Sequence, residues 1–149
     1  MIINSFYALL SSLGFGIIFN IRGKNLFFAS LGGGLAWFLY SISINYGFSM
    51  LFALFMGSLV CSVYSEVMAR ILKTPVTIFM ICAIIPLVPG AGMYYTMFET
   101  TMGNIDKALS LGIETIGSAG AIAVATVLVT SITKVIVTLK NGKLNTKRY

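Results

Sequence analysis

Histidine is absent from the 149 residues, and Asp and Glu together number four. The missing histidine removes the commonest general base and metal ligand. Cysteine occurs twice, as Cys61 and Cys82. Both fall in apolar segments and fit neither a metal spacing nor a disulfide framework. There is no nucleophile elbow, no phosphate loop and no pair of carboxylates. An enzyme is therefore not expected, and neither a metal nor a cofactor is implied. Gly32-Gly33-Gly34 lies inside an apolar run and reads as close packing, not an anion cradle. The N-terminus, Met1-Ile2-Ile3-Asn4, has no basic n-region, and no small-residue cleavage site follows the first apolar run. That run is expected to be a retained helix and not a signal peptide.

Charge of either sign is scarce as well. Only 9% of residues are charged and 58% are hydrophobic, against about 25% and 45–50% in soluble domains. A chain of this length cannot hide that much apolar surface within itself, so lipid is the expected solvent for its exterior. Five apolar runs are long enough to cross a bilayer as helices: residues 2–19, 26–44, 48–67, 76–95 and 116–139. The expected fold is an all-α integral membrane bundle of five spans forming one domain, followed by a basic tail over residues 140–149. The segment from Thr96 to Gly112 reads as the longest loop, holding Glu99, Asp106 and Lys107.

The net charge of +6 does not gather into a nucleic-acid patch. Arg22, Lys24, Arg70, Lys73, Lys140, Lys143, Lys147 and Arg148 all fall on one side of the expected spans, with Lys107 alone on the other. The positive-inside rule then places the N-terminus outside and the C-terminus in the cytoplasm. Lys134, about one turn inside the cytoplasmic end of the last run, can snorkel.

Small residues recur every fourth position at Ala53, Gly57, Cys61 and Ser65, at Gly117, Ala121 and Ala125, and at Ala29-Gly33 and Ser30-Gly34. Such stripes let helices approach closely in lipid, either inside the bundle or against a second subunit.

The fourth run carries the strongest functional signal: Pro86-Leu87-Val88-Pro89-Gly90-Ala91-Gly92. Each proline lacks an N–H and clashes one turn back, which should free the carbonyls of Cys82 and Ile85. Unsatisfied backbone groups survive in a membrane only where protein, water or a ligand supplies partners, and discontinuous helices near the midplane are where many transporters bind substrate. A simple proline kink is the competing reading. Pro86, Pro89, Gly90 and Gly92 are thus candidates for a substrate path. Tyr94 and Tyr95 are further candidates, or else an interfacial aromatic belt. Glu66 either pairs with Arg70 one turn on or carries a proton near the cytoplasmic mouth. Asn20 suits a helix-ending turn or the same mouth. No acid lies deep in any of the five runs, so a proton relay across the midplane is not expected from this chain alone.

Phe15-Gly16-Ile17-Ile18-Phe19-Asn20, Leu31-Gly32-Gly33-Gly34, Lys73-Thr74-Pro75, Ile85-Pro86-Leu87-Val88-Pro89-Gly90 and Tyr94 together resemble the threonine/serine exporter (ThrE) family, in particular its short second half, a YjjB-like subunit. The resemblance covers almost the whole chain. It implies export of threonine and serine, or of succinate and related dicarboxylates, across a bacterial plasma membrane. It also implies a first-half, YjjP-like partner subunit of the same family that brings a hydrophilic region absent here. Two five-span halves would then have inverted topology. A homo-oligomeric channel and a structural subunit that does not touch substrate are the alternatives.

Overall fold

Turn chemistry sets the helix boundaries of the computed structural model, which describes residues 2–145, with side chains described to residue 139. Six helices follow one another: α1 (Ile2–Ile18), α2 (Lys24–Asn45), α3 (Met50–Ile71), α4 (Val76–Ile84), α5 (Gly90–Thr101) and α6 (Ile105–Asn145). A 3-10 turn over Ile85–Leu87 separates α4 from α5. Strands are absent among the described residues. Asn20 ends α1 in the left-handed conformation (φ 57°). The Asn20 N–H donates to the Ile17 carbonyl and the Ile21 N–H to that of Gly16, the paired bonds of a Schellman cap. Asn20 therefore does the capping that its side chain suits. Gly47 and Gly103 repeat that cap after α2 and α5. Lys73 takes the same conformation after α3 (φ 53°), an uncommon place for a residue with a Cβ.

α2 is central, packing against α1, α3 and α4. α4 also lies on α3, whereas α6 packs on α3 and α5. One core cluster joins Ala36, Leu54, Cys61, Ala83, Leu87 and Ile122; the other joins Ala29, Ala69, Phe79 and Cys82. The small-residue positions meet inside this chain. Ala53, Gly57, Cys61 and Ser65 are all buried, as are Ala29, Ser30, Gly33, Gly34 and Ala125. Their closeness serves helix pairs of one bundle, while Gly117 and Ala121 are half-buried. The Gly32 slot admits the Tyr64 ring, and the Tyr64 hydroxyl donates to the Phe28 carbonyl at 2.7 Å. That bond ties α3 to α2. Tyr64→Phe should lower stability by about 0.5–1.5 kcal/mol, read as an earlier thermal transition in detergent with unchanged helix content.

α2, α3 and the Ile105–Leu139 part of α6 are long and apolar enough to cross a membrane, and α4 with α5 makes a fourth candidate span bent by 51°. α1 is apolar but has 17 residues. The chain is thus an all-α, multi-pass membrane protein. Two expectations are corrected. The stretch 96–112 is not a long loop: α5 continues to Thr101 and α6 begins at Ile105, well before residue 116. Its polar residues are satisfied locally, which is why helix persists there. Thr96 and Thr100 donate to carbonyls one turn back. The Glu99 carboxylate accepts from Asn104 Nδ2 at 2.7 Å and from Lys107 Nζ. The Ile85 carbonyl is not freed either, because the 3-10 turn lets it accept from the Val88 N–H at 3.2 Å. Of the basic tail, residues 146–149 lie outside the described residues, and the backbone of 140–145 continues α6.

Candidate functional site

The break sits between nine residues of α4 and twelve of α5, near the middle of the bent span. Pro86 enters the 3-10 turn, Val88 is extended (φ −61°, ψ 129°), and Pro89 precedes α5 without a side-chain cap. The Gly90 N–H donates to the Val88 carbonyl and the Met93 N–H to that of Pro89. The first turn of α5 therefore presents backbone N–H groups and the positive end of its dipole at the break.

A cavity of about 290 Å³ opens at this point. The whole break from Pro86 to Gly92 lines one wall. α2 contributes Trp37 and Tyr40, and α6 contributes Glu114, Thr115 and Ser118. The Trp37 and Tyr40 rings lie 5.1 Å apart, and the buried Trp37 Nε1–H has no hydrogen-bond partner among the described residues. The hydroxyls of Thr115 and Ser118 donate to the carbonyls of Leu111 and Glu114, leaving their lone pairs as acceptors. The cavity is not sealed by this chain: Met50, Val88, Gly90, Ala91 and Glu114 line it and are exposed. A second cavity of about 340 Å³, lined by Asn4, Tyr7 and Ser11, shares Trp37 and Pro86 with the first.

Four of the sequence candidates, Pro86, Pro89, Gly90 and Gly92, thus come together around one space. Gly92 is there because nothing larger fits: a Cβ would collide with Thr115 Oγ1. Gly90 has open space around it. Tyr94 and Tyr95 do not line the cavity. They are exposed on α5, edge to face with each other, with Tyr94 stacked on Phe98. Glu66 pairs with Arg70 at 3.4 Å at the end of α3, and Asn20 Oδ1 accepts from Arg22 Nε at 3.0 Å beside its cap. Both lie apart from the break.

Glu114 is the residue that sequence reasoning missed. It precedes the run counted from Ile116, yet α6 starts at Ile105 and carries it into the apolar helix. Flanking Ile113 and Ile116, both strongly exposed, would have revealed it as an acid within an apolar stretch. Glu114 is thus an acid in the first part of the candidate span Ile105–Leu139. Against known families, the one described as Threonine/Serine exporter, ThrE, matches residues 4–132. No solved structure matches the chain.

Proposed function

The chain belongs to the threonine/serine exporter family, a family of membrane transporters and not of enzymes, and on that premise we propose that it forms the substrate path of an exporter for threonine, serine or a related small metabolite. The observation that carries the reading is the cavity at the break of the bent span, walled by the uncapped start of α5. Half-helix N-termini that face a cavity suit the carboxylate of a small substrate, and a space of this size is near the lower end of ligand pockets. Pro86, Pro89, Gly90 and Gly92 form the path. Tyr94 and Tyr95 flank its outer side, and Asn20 and Glu66 lie toward its cytoplasmic end.

In this reading α1 is a fifth span, the N-terminus is outside, and the C-terminus faces the cytoplasm of a bacterial cell. The exposed mouth of the cavity supports closure by a partner, a first-half subunit of the same family in the inverted orientation. A dicarboxylate such as succinate is the second substrate class.

Counterflow of labelled serine, threonine and succinate into liposomes, with and without the first-half subunit, tests the reading. Saturable serine or threonine counterflow is expected from the pair. Uptake no faster than in empty vesicles would reject it. Reporter fusions at the two termini should report opposite sides of the membrane; a same-side result rejects the five-span topology.

A further inference from the structure

We propose that the Glu114 carboxylate receives the ammonium group of an amino-acid substrate in the break cavity. The inference rests on the exporter reading above and adds the residue that would select among its substrates.

Three of the four acids have a local structural reason for their positions. Glu66 pairs with Arg70, Glu99 is held by Asn104 and Lys107, and Asp106 lies in the first turn of α6, where the helix dipole favours a negative charge. Glu114 has none of these. Its carboxylate makes no ion pair and no hydrogen bond among the described residues. It lies about two turns beyond Lys107 along α6, between exposed Ile113 and Ile116. Glu114 falls inside the candidate span Ile105–Leu139, and a carboxylate within a span marks a pathway or a pairing site. Among the described residues that line the cavity it is the one with a formal charge.

The surroundings fit an amine. The Trp37 and Tyr40 rings line the same space, and aromatic faces attract cations. The remaining requirement of a zwitterion is met on the break itself: the backbone N–H groups at the start of α5 offer donors to a carboxylate. No cationic side chain among the described residues lines the cavity. A dicarboxylate would therefore bring two negative charges to a wall that already holds one, whereas serine or threonine brings the complement. That difference separates the two substrate classes that the family resemblance leaves together.

The test is counterflow of labelled serine in liposomes carrying the full chain and its companion subunit. For the wild type, unlabelled threonine and ethanolamine should compete, and glycerate and succinate, which lack the ammonium group, should not. Glu114→Gln, which keeps size and removes charge, should raise the half-saturating serine concentration about tenfold or more, with Glu114→Asp in between. Glycerate competing as well as threonine in the wild type overturns the proposal without any variant. So does unchanged serine half-saturation in Glu114→Gln, including the case where counterflow persists and net export stops, which would make Glu114 a proton carrier instead. Absence of serine counterflow in the wild type overturns the exporter reading itself, and the Glu114 assignment with it.

Discussion

Gly33→Val is expected to leave almost no monodisperse protein after extraction in detergent. A Cβ at residue 33 would collide with Ser12 Oγ, lie 2.8 Å from Ser12 Cβ and come within 3.5 Å of the Pro86 ring. Ser12 is fully buried, so it has nowhere to retreat; turning its hydroxyl away still leaves its Cβ in place. α1, α2 and the break meet here, and the crossing can be relieved only by moving helix backbones apart. Overpacking of a tight core costs about 1–3 kcal/mol and occasionally more, and this site, with two backbones and a proline ring converging, belongs at the upper end. The milder Gly33→Ala should be partly rescued by Ser12→Gly, which deletes both offending atoms, with a coupling of about 1–3 kcal/mol. Thermal unfolding of the four proteins of the cycle measures it. Equal transitions for wild type and Gly33→Val would show that α1 does not cross α2 at this point.

Gly92→Ala should abolish most counterflow while leaving the α1–α4 core folded. Two effects compete. Alanine is the better helix former by about 1 kcal/mol, which favours the substitution in the first turn of α5. Against it, the new methyl collides with Thr115 Oγ1 and meets Thr115 Cβ at 3.4 Å. That hydroxyl is bonded to the Leu111 carbonyl at 2.7 Å, so swinging it aside forfeits about a further 1 kcal/mol. The collision wins, and because α5 packs chiefly on α6, the cost is taken as separation of these two helices, both of which line the cavity. Thr115→Ala removes the obstruction. The double variant Gly92→Ala with Thr115→Ala should therefore recover transport that the first change loses, and stability should rise above that of Gly92→Ala alone. Failure of Thr115→Ala to restore either quantity would place the cause of the defect elsewhere.

Much of this was readable from the residues, for reasons that can be named. Proline without its N–H dictates a break wherever it falls within an apolar run, so the interruption at Pro86 and Pro89 was visible, as was the α1 turn at Asn20. What was not visible came from local satisfaction of polar groups. Thr96, Glu99, Thr100, Asn104 and Lys107 look like loop composition, but their side chains bond to their own helices and to one another, and the helices run on. The same misreading hid Glu114, because a span begun at Ile116 excludes it. The carbonyl of Ile85 was expected to be free because an α-helical register was assumed; a tighter 3-10 register supplies Val88 as its donor. Lys73 in a left-handed cap follows from the path of the chain into α4 and from nothing in its side chain. The location of the cavity needed three elements at once, α2, the break and α6, and no local pattern encodes that meeting.

The α5–α6 hairpin has a mechanical meaning of its own. It joins the rest of the bundle through the short linker at Val88 and Pro89 and through the α3–α6 seam. On that seam Gly117 lies against Leu51, while Ile122 shares a cluster with Leu54 and Cys61. The hairpin is a lever set against that seam, and shear between packed helices is a common way for a wall to travel as a unit. Since one cavity wall belongs to the lever and another to α2, a small slip along the seam would widen or narrow the space without unfolding any helix.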